Sequence, residues 1–362
     1  MNVISTKHHD IFIGKDSLSQ MDTFLQENKE KYSGYLIFGD SHTLLKCLPD
    51  IVMASDLLEG AEILEIEPGE ESKSAEILNE LWTSLVDSNY DRNYLLINLG
   101  GGVVSDLGGF MGATYKRGID FINVPTTLLS MIDASFGGKT AVNIGHVKNQ
   151  VGVFAFPKAV FVYPNFLRTL EKREIFSGFA EALKHGLIAD ADLFDQLSKL
   201  DIAKDKISND LFSQIIKVKS DIVEADCYEK AERKLLNFGH TIGHAIESFL
   251  LKGNVDVRHG EAVALGIISE SYISLKMNMI TNVDYDKIVA VMVKNFSYFT
   301  HRRIDTNKVV ELLIHDKKNS NGTVNFVLLN KIGGASYNCL VDEKLVFDSI
   351  FHLNEFWDGF AC

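Results

Sequence analysis

The chain is poor in cysteine, proline and tryptophan, and it has no long apolar run. Four cysteines occur in 362 residues, Cys47, Cys227, Cys339 and Cys362, scattered and without a Cys-x-x-Cys pair. That argues against a disulfide framework and a thiolate zinc site, and it fits a reducing, cytoplasmic setting. No apolar stretch is long enough to cross a bilayer, and the first ten residues lack the apolar core of a secretory leader. Positive charge is also short: 36 Lys and Arg stand against 49 Asp and Glu, a formal net charge of -13. A chain so acidic is not built for a nucleic-acid backbone, and no nucleic-acid or membrane partner is expected. An anionic small molecule stays open, because Lys116-Arg117, Arg233-Lys234 and Lys317-Lys318 are local basic clusters.

What is present is core material. Hydrophobic residues make up 46% of the chain, and the length fits two domains of ordinary size. The first part alternates short strand-like runs with helical patterns. Strands are expected at Asp10–Gly14, Tyr35–Asp40, Ala61–Ile66, Tyr94–Leu99, Phe121–Val124 and Val160–Tyr163, with a helix over Ala75–Val86. Such alternation implies a mainly parallel sheet flanked by helices. After about Asn165 helix follows helix: Ile175–Ile188, Leu211–Ala225, Gly239–Leu251 and Gly260–Leu275. The prolines lie ahead of this region, which leaves it free of strong helix breakers. A late β-pair is expected near Thr323–Leu329 and Ala335–Asn338. The reading is an α/β domain over residues 1–165 and a mostly helical domain over 166–362, with a ligand cleft between them.

Two groups of residues carry chemistry. Leu99-Gly-Gly-Gly-Val-Val-Ser-Asp106 follows a strand and opens a helix, so Gly100, Gly101 and Gly102 could bring backbone N–H groups to a phosphate. It is not a dinucleotide fingerprint, since Ser105 falls at the third glycine. Asp40 ends a strand, where it could bond a ribose hydroxyl or simply cap the next helix. Lys73 could reach a phosphate or belong to a turn and helix start, and Thr126 and Thr127 place two hydroxyls after a strand, where they could also cap a helix. Gly137-Gly-Lys-Thr140 lacks the upstream glycine of a P-loop, so nucleotide hydrolysis is rejected. Lys139 and Lys148 read as cations for an anion, or as solvated loop lysines.

On the helical side, Glu181 and Lys184 share a face of an apolar helix, where a charged pair needs a partner, a ligand or an ion. His240 and His244 share another, four residues apart. The spacing is that of a zinc protease, but no Glu follows the first His and the general base is missing. With His259 on a further apolar helix, Glu181 and two of these three histidines offer one carboxylate and two imidazoles with a position left open, as a catalytic zinc requires.

At these residues the chain resembles the 3-dehydroquinate synthase family, over nearly its whole length. The motifs are Gly100-Gly-Gly-Val-Val-Ser-Asp106, Tyr115-Lys-Arg-Gly118, Val124-Pro-Thr-Thr-Leu-Leu129, Gly137-Gly-Lys-Thr140, Lys148-Asn149, Gly178-Phe-Ala-Glu-Ala-Leu-Lys184, Leu236-Asn-Phe-Gly-His240 and His259-Gly-Glu261. The resemblance implies a Rossmann-like α/β domain ahead of a helical one. It implies Glu181, His240 and His259 as ligands of Zn2+ or Co2+, and His244 and Glu229 as proton-transfer residues. It implies Arg117, Lys139, Asn149, Lys184, Lys219, Arg233, Asn237 and Lys317 (in preference to Lys318) as contacts to a sugar phosphate, with Lys139, Lys184, Arg233 and Asn237 close to the chemistry. Asp40, Glu70, Lys73, Gly100, Gly101, Gly102, Asp106, Thr126, Thr127, Asp133 and Lys148 would form an NAD+ site. Arg117 is of a type that reaches into a neighbouring subunit, which implies a homodimer. The implied reaction is transient oxidation, phosphate elimination, reduction and aldol closure, without net redox change. Ala134 and Phe136 depart from the family's usual Ser and aliphatic residue. Rival readings are another sugar-phosphate cyclase, a glycerol-dehydrogenase-type oxidoreductase, and a member that only binds ligand. Retention of Lys219, Arg233, Asn237 and His244 favours a carboxylate-bearing substrate.

Overall fold

The structure, a computed structural model, describes residues 2–145, 147–299, 304–316 and 324–358. The chain divides into two compact units, Met1–Glu171 with Ser208–Ser220, and Lys172–Ile207 with Asp221–Cys362. Ser208–Ser220, expected with the helical part, therefore belongs to the first unit. The Asn2 side chain ties it there over a long sequence separation, donating to the Asn209 carbonyl at 3.3 Å, to Asp210 at 3.0 Å and to Ser213 at 2.8 Å. Helical periodicity carries no information about such a tether.

The first unit holds a seven-stranded sheet. Its members are β1 (Asn2–Ser5), β2 (Asp10–Ile13), β3 (Gly34–Asp40), β4 (Glu62–Ile66), β5 (Tyr94–Gly100), β6 (Phe121–Pro125) and β9 (Ala159–Val162), in the order β1-β2-β9-β6-β5-β3-β4. Only β1 and β2 pair antiparallel. Central β5 reads Tyr-Leu-Leu-Ile-Asn-Leu-Gly, and Leu95, Leu96, Ile97 and Leu99 are fully buried, as a parallel strand covered on both faces requires. A separate hairpin, β7 (Lys139–Ile144) and β8 (Val147–Phe154), was not expected from the sequence.

The chain runs from β3 outward to β4, then crosses back to place β5 on the other side of β3. Sheet order reverses at this point, and ligands of open α/β sheets bind beyond the strand ends there. Asp40 ends β3 and Gly100 ends β5, so both sit at the reversal.

In the second unit the expected helices are present at Lys172–Ala189, His240–Lys252 and His259–Lys276, and the late pair is β10 (Asn325–Lys331) with β11 (Gly334–Leu340). Glycine sets how closely the helices approach. A Cβ on Gly266 would lie 1.9 Å from the Gly239 carbonyl oxygen, and one on Gly260 would lie 2.0 Å from that of Ser177. Both carbonyls belong to neighbouring backbone, so no rotamer change relieves the clash.

Candidate active site

In the second unit, the three elements that carry Glu181, His240 and His259 bring these residues together. Glu181 Oε1 lies 3.4 Å from His240 Nε2 and 3.4 Å from His259 Nε2. Those distances are long for an N–H···O hydrogen bond. They match the edge of a tetrahedron of donors about 2.1 Å from one ion, which is about 3.4 Å. His240, His244 and His259 also offer ring nitrogens within 4.8 Å of one another. The donor set, one carboxylate oxygen with facing imidazoles, fits a divalent ion.

The surrounding groups hold these ligands in that pose. The carboxylate is only 1% exposed and its other oxygen, Oε2, pairs with Lys184, which leaves Oε1 to face the rings. His240 Nδ1 is 3.1 Å from the Phe238 carbonyl, which fixes the tautomer with Nε2 free. Behind His259, Nδ1 is 3.5 Å from Glu247 Oε2. Burial acts to lower the pKa of His259, yet Glu181 and Glu247 outweigh it and raise it to about 10. His240 goes the other way, lowered by burial, with Glu181 acting against it.

The helix that begins at His240 has no side-chain cap of its own, because its N-cap is Gly239 at φ 79°. Glu270, from the helix at His259, supplies the acceptors: Gly239 N–H donates to Oε2 at 2.7 Å and Ile242 N–H to Oε1 at 3.0 Å. Glu247 and Glu270 were missed by sequence reasoning. A Glu inside an apolar helical run was the available signal, but its partner lies on another helix. Glu261 of His259-Gly-Glu261 is bound by Arg173 at 2.6 and 2.8 Å and by Tyr298 at 3.1 Å, a structural role. Asn237 donates to Glu229 at 2.6 Å, and Glu229 sits at φ 58°. Arg233, buried, donates to the Cys227 carbonyl at 2.6 Å. His244 is exposed, its ring 5.1 Å from that of His240.

The first unit gathers the other set. Gly101 caps the helix Gly102–Thr114, and no side chain among the described residues caps that N-terminus. A Cβ on Gly101 would lie 3.0 Å from Thr127, so this turn is fitted to Thr127. Pro125 ends β6 opposite Gly100, and Thr126 N–H donates to the Gly100 carbonyl at 3.0 Å. Thr127 and Ser130 bond each other's backbone and hydroxyl, the helix-start role of such a pair. Asp40 likewise serves as an N-cap, accepting from Thr43 N–H at 2.8 Å and from its hydroxyl at 3.0 Å.

The cations of this unit are engaged. Lys73, 4% exposed, donates to Asp106 at 2.5 Å and to Asn149 at 2.6 Å. Burial pushes the Asp106 carboxyl up in pKa, and Lys73 opposes that shift. Lys219 pairs with the Asp133 carboxylate, reaches its carbonyl at 2.7 Å, and stands 5.4 Å over the ring of Phe136. Glu70 accepts from Asn143 at 2.8 Å. Lys139 opens β7 and Lys148 lies on β8, both exposed, on a hairpin rather than in a loop. Arg117 is exposed at φ 69°, directly after Lys116 at φ 47°. Lys317 lies outside the described residues.

The family model for the 3-dehydroquinate synthase N-terminal region matches residues 63–177, and that for the C-terminal region matches residues 178–319. A 3-dehydroquinate synthase from Parabacteroides distasonis is 40% identical over 342 residues, 94% of this chain and 96% of that one. One from Bacillus mycoides is 34% identical over 345 residues, 94% of each. Among solved structures, a 2-deoxy-scyllo-inosose synthase complexed with carbaglucose-6-phosphate, NAD+ and Co2+ has a TM-score of 0.84 at 24% identity, covering 97% of this chain and 99% of that one. A 2-epi-5-epi-valiolone synthase from Streptomyces hygroscopicus, with NAD+ and Zn2+ bound, has a TM-score of 0.81 at 23% identity, covering 98% and 99%. These two likenesses show the fold; the matches to both family models and the two relatives show that the chain belongs to the 3-dehydroquinate synthase family.

Proposed function

We propose that the chain converts 3-deoxy-D-arabino-heptulosonate 7-phosphate into 3-dehydroquinate and phosphate, with NAD+ and Zn2+ or Co2+ as cofactors. The observation that carries this is Glu181 Oε1 at 3.4 Å from both His240 and His259, in a chain of this family. Bound there, the ion would supply Lewis acidity toward substrate hydroxyls, and NAD+ would supply reversible hydride acceptance.

The chain's own residues do the rest. Glu181, His240 and His259 hold the ion, and Lys184 keeps the carboxylate turned toward it. His244 and Glu229 move protons, helped by the exposed position of the His244 ring. Arg117, Lys139, Asn149, Lys184, Lys219, Arg233, Asn237 and Lys317 meet the carboxylate and phosphate of the substrate with charge-assisted hydrogen bonds. Asp40, Glu70, Lys73, Gly100, Gly101, Gly102, Asp106, Thr126, Thr127, Asp133 and Lys148 form the NAD+ site. The uncapped N–H groups after Gly101 face a pyrophosphate, the anion that a helix start attracts.

The enzyme acts as a homodimer in which Arg117 serves the neighbouring subunit. Two successive non-glycine residues in left-handed conformation, at about 1–2 kcal/mol each, support a demand on the direction of this exposed side chain. Arg117→Ala and Glu181→Gln chains, each inactive alone, should regain activity on mixing. The free thiols of Cys47, Cys227 and Cys339 support a cytoplasmic setting.

The test is phosphate release from the sugar phosphate with NAD+ and Zn2+, followed together with absorbance at the NADH wavelength. Stoichiometric phosphate without accumulated NADH, lost after EDTA, is the expected result. Steady NADH growth would mean a polyol dehydrogenase, and release only from carboxylate-free sugar phosphates would mean a different cyclase.

A further inference from the structure

We propose that Asn143 is a positioning residue that sets Glu70 and Asn149 in place, and that it does so through a bulge in the β7–β8 hairpin. The inference rests on the reading of Glu70 as a cofactor contact and of Asn149 as a substrate contact. The hairpin register pairs Val142 with Val151 and Ile144 with Val147. One residue, Asn143, therefore faces three: Lys148, Asn149 and Gln150. Bulges of this kind re-aim a side chain at the cost of ladder hydrogen bonds, and they recur beside active sites.

Asn149 takes the left-handed conformation, φ 58°, which asparagine adopts more readily than other non-glycine residues. Its N–H donates to the Asn143 side-chain oxygen at 2.9 Å. That oxygen stands in for the backbone acceptor the bulge displaces. With its backbone so held, Asn149 presents Oδ1 to Lys73 Nζ at 2.6 Å.

The other end of the same carboxamide works in the opposite sense. Asn143 Nδ2 donates to Glu70 Oε1 at 2.8 Å. The Asn143 backbone N–H is committed to a third segment, donating to the Lys73 carbonyl at 2.8 Å beside a bridge to Ser74. Asn143 is only 7% exposed, so these partners are fixed in a site with little water to replace them. One side chain thus ties a carboxylate that serves the cofactor to an amide that serves the substrate, with Lys73 and Asp106 closing the circuit. A residue with one donor end and one acceptor end is required, and among side chains of this length only asparagine has it.

The two ends can be tested apart. Asn143→Asp keeps the acceptor for Asn149 and sets an oxygen against Glu70. NAD+ binding, read by equilibrium titration without substrate, should weaken about tenfold, and KM for the sugar phosphate should change little. Adding Glu70→Gln restores a donor–acceptor pair of reversed polarity, so the double variant should bind NAD+ no more weakly than Glu70→Gln alone. Asn143→Ala removes both ends and should weaken NAD+ and raise the sugar-phosphate KM together. Thermal melting of each variant separates these effects from unfolding, and Asn143→Asp alone decides the matter where Asn143→Ala does not fold. Losses that simply multiply in Asn143→Asp/Glu70→Gln, or unchanged constants in a folded Asn143→Ala, would overturn the proposal in an active enzyme. A wild-type chain that neither binds NAD+ nor releases phosphate would overturn the functional reading, and this one with it.

Discussion

In the helical unit, Glu181, His240 and His259 sit on helices whose approach is fixed by glycine contacts such as Gly266 on the Gly239 carbonyl. In the α/β unit, the charged groups are spread over a strand end, a 3-10 turn, a bulged hairpin and helical segments. The helical set points like donors at one another, a carboxylate oxygen and imidazole nitrogens converging at 3.4 Å. The α/β set does the reverse: Lys73 lies on Asp106, Lys219 on Asp133, and Asp40 on Thr43. Without an ion, Lys184 and the His259 ring, whose pKa Glu181 and Glu247 raise, compensate the buried carboxylate, so an ion bound there takes the place of a proton. The opposed charges of the α/β unit are compensated by each other, so an anion drawn to Lys73 or Lys219 would have to displace Asp106 or Asp133.

The contrast has measurable consequences. The largest is at Glu181. Glu181→Gln should keep the secondary structure, at a lower melting temperature because Lys184 loses its buried partner, while metal content and phosphate release both fall, the rate by roughly a hundredfold or more. Full metal occupancy in that variant would sink the assignment of Glu181 as a ligand.

Next comes a pH effect confined to the α/β unit. His9 is 7% exposed, and neither ring nitrogen has a hydrogen-bond partner among the described residues. Burial lowers its pKa to about 4, His8 acts in the same direction and Asp10 against it. The unfolded chain binds this proton near pH 6.5 and the folded chain only near pH 4. The stability it contributes is therefore complete above pH 6.5 and is lost as pH falls toward 4, up to about 3 kcal/mol. Urea midpoints at neutral and acid pH should differ less in His9→Leu than in the wild type; equal slopes would remove His9 from the account.

Glu270→Gln probes whether the helical site depends on its outer carboxylates. Gln leaves one acceptor for the Gly239 and Ile242 N–H groups and turns the other position into a donor. Metal affinity, measured by chelator competition, should drop by about 10- to 100-fold. An unchanged affinity would mean that glycine packing alone holds His240. The smallest effect is expected at Phe136→Leu, which removes the ring beneath Lys219. A cation–π contact of about 0.5–1 kcal/mol predicts a two- to fivefold change in sugar-phosphate KM. No change would show that the Asp133 pair alone orients Lys219.

Much of this was legible in order of residues. Runs such as Tyr94-Leu-Leu-Ile-Asn-Leu and the periodicity around Glu181 and His259 declared strands and helices, because burial on one or two faces writes itself into local pattern. The β7–β8 hairpin escaped, since β8 is exposed along its length and its Val, Lys and Asn residues lack a buried alternate face. Asn143, Glu247 and Glu270 escaped for a related reason: each acts on a residue from a different segment, and a lone polar residue in an apolar run does not name its partner.

The sequence by itself determined the family and the alternation of strands and then helices, and it offered the candidate ligating and anion-binding side chains, because those depend on residue type and short spacing. Only the tertiary structure decided that Glu181 divides its oxygens between Lys184 and two histidines, and that Asp40 caps its own helix. It alone decided that Asn143 bridges Glu70 and Asn149. Distances of 3 Å between segments far apart in the chain are set by packing, and no local pattern encodes them.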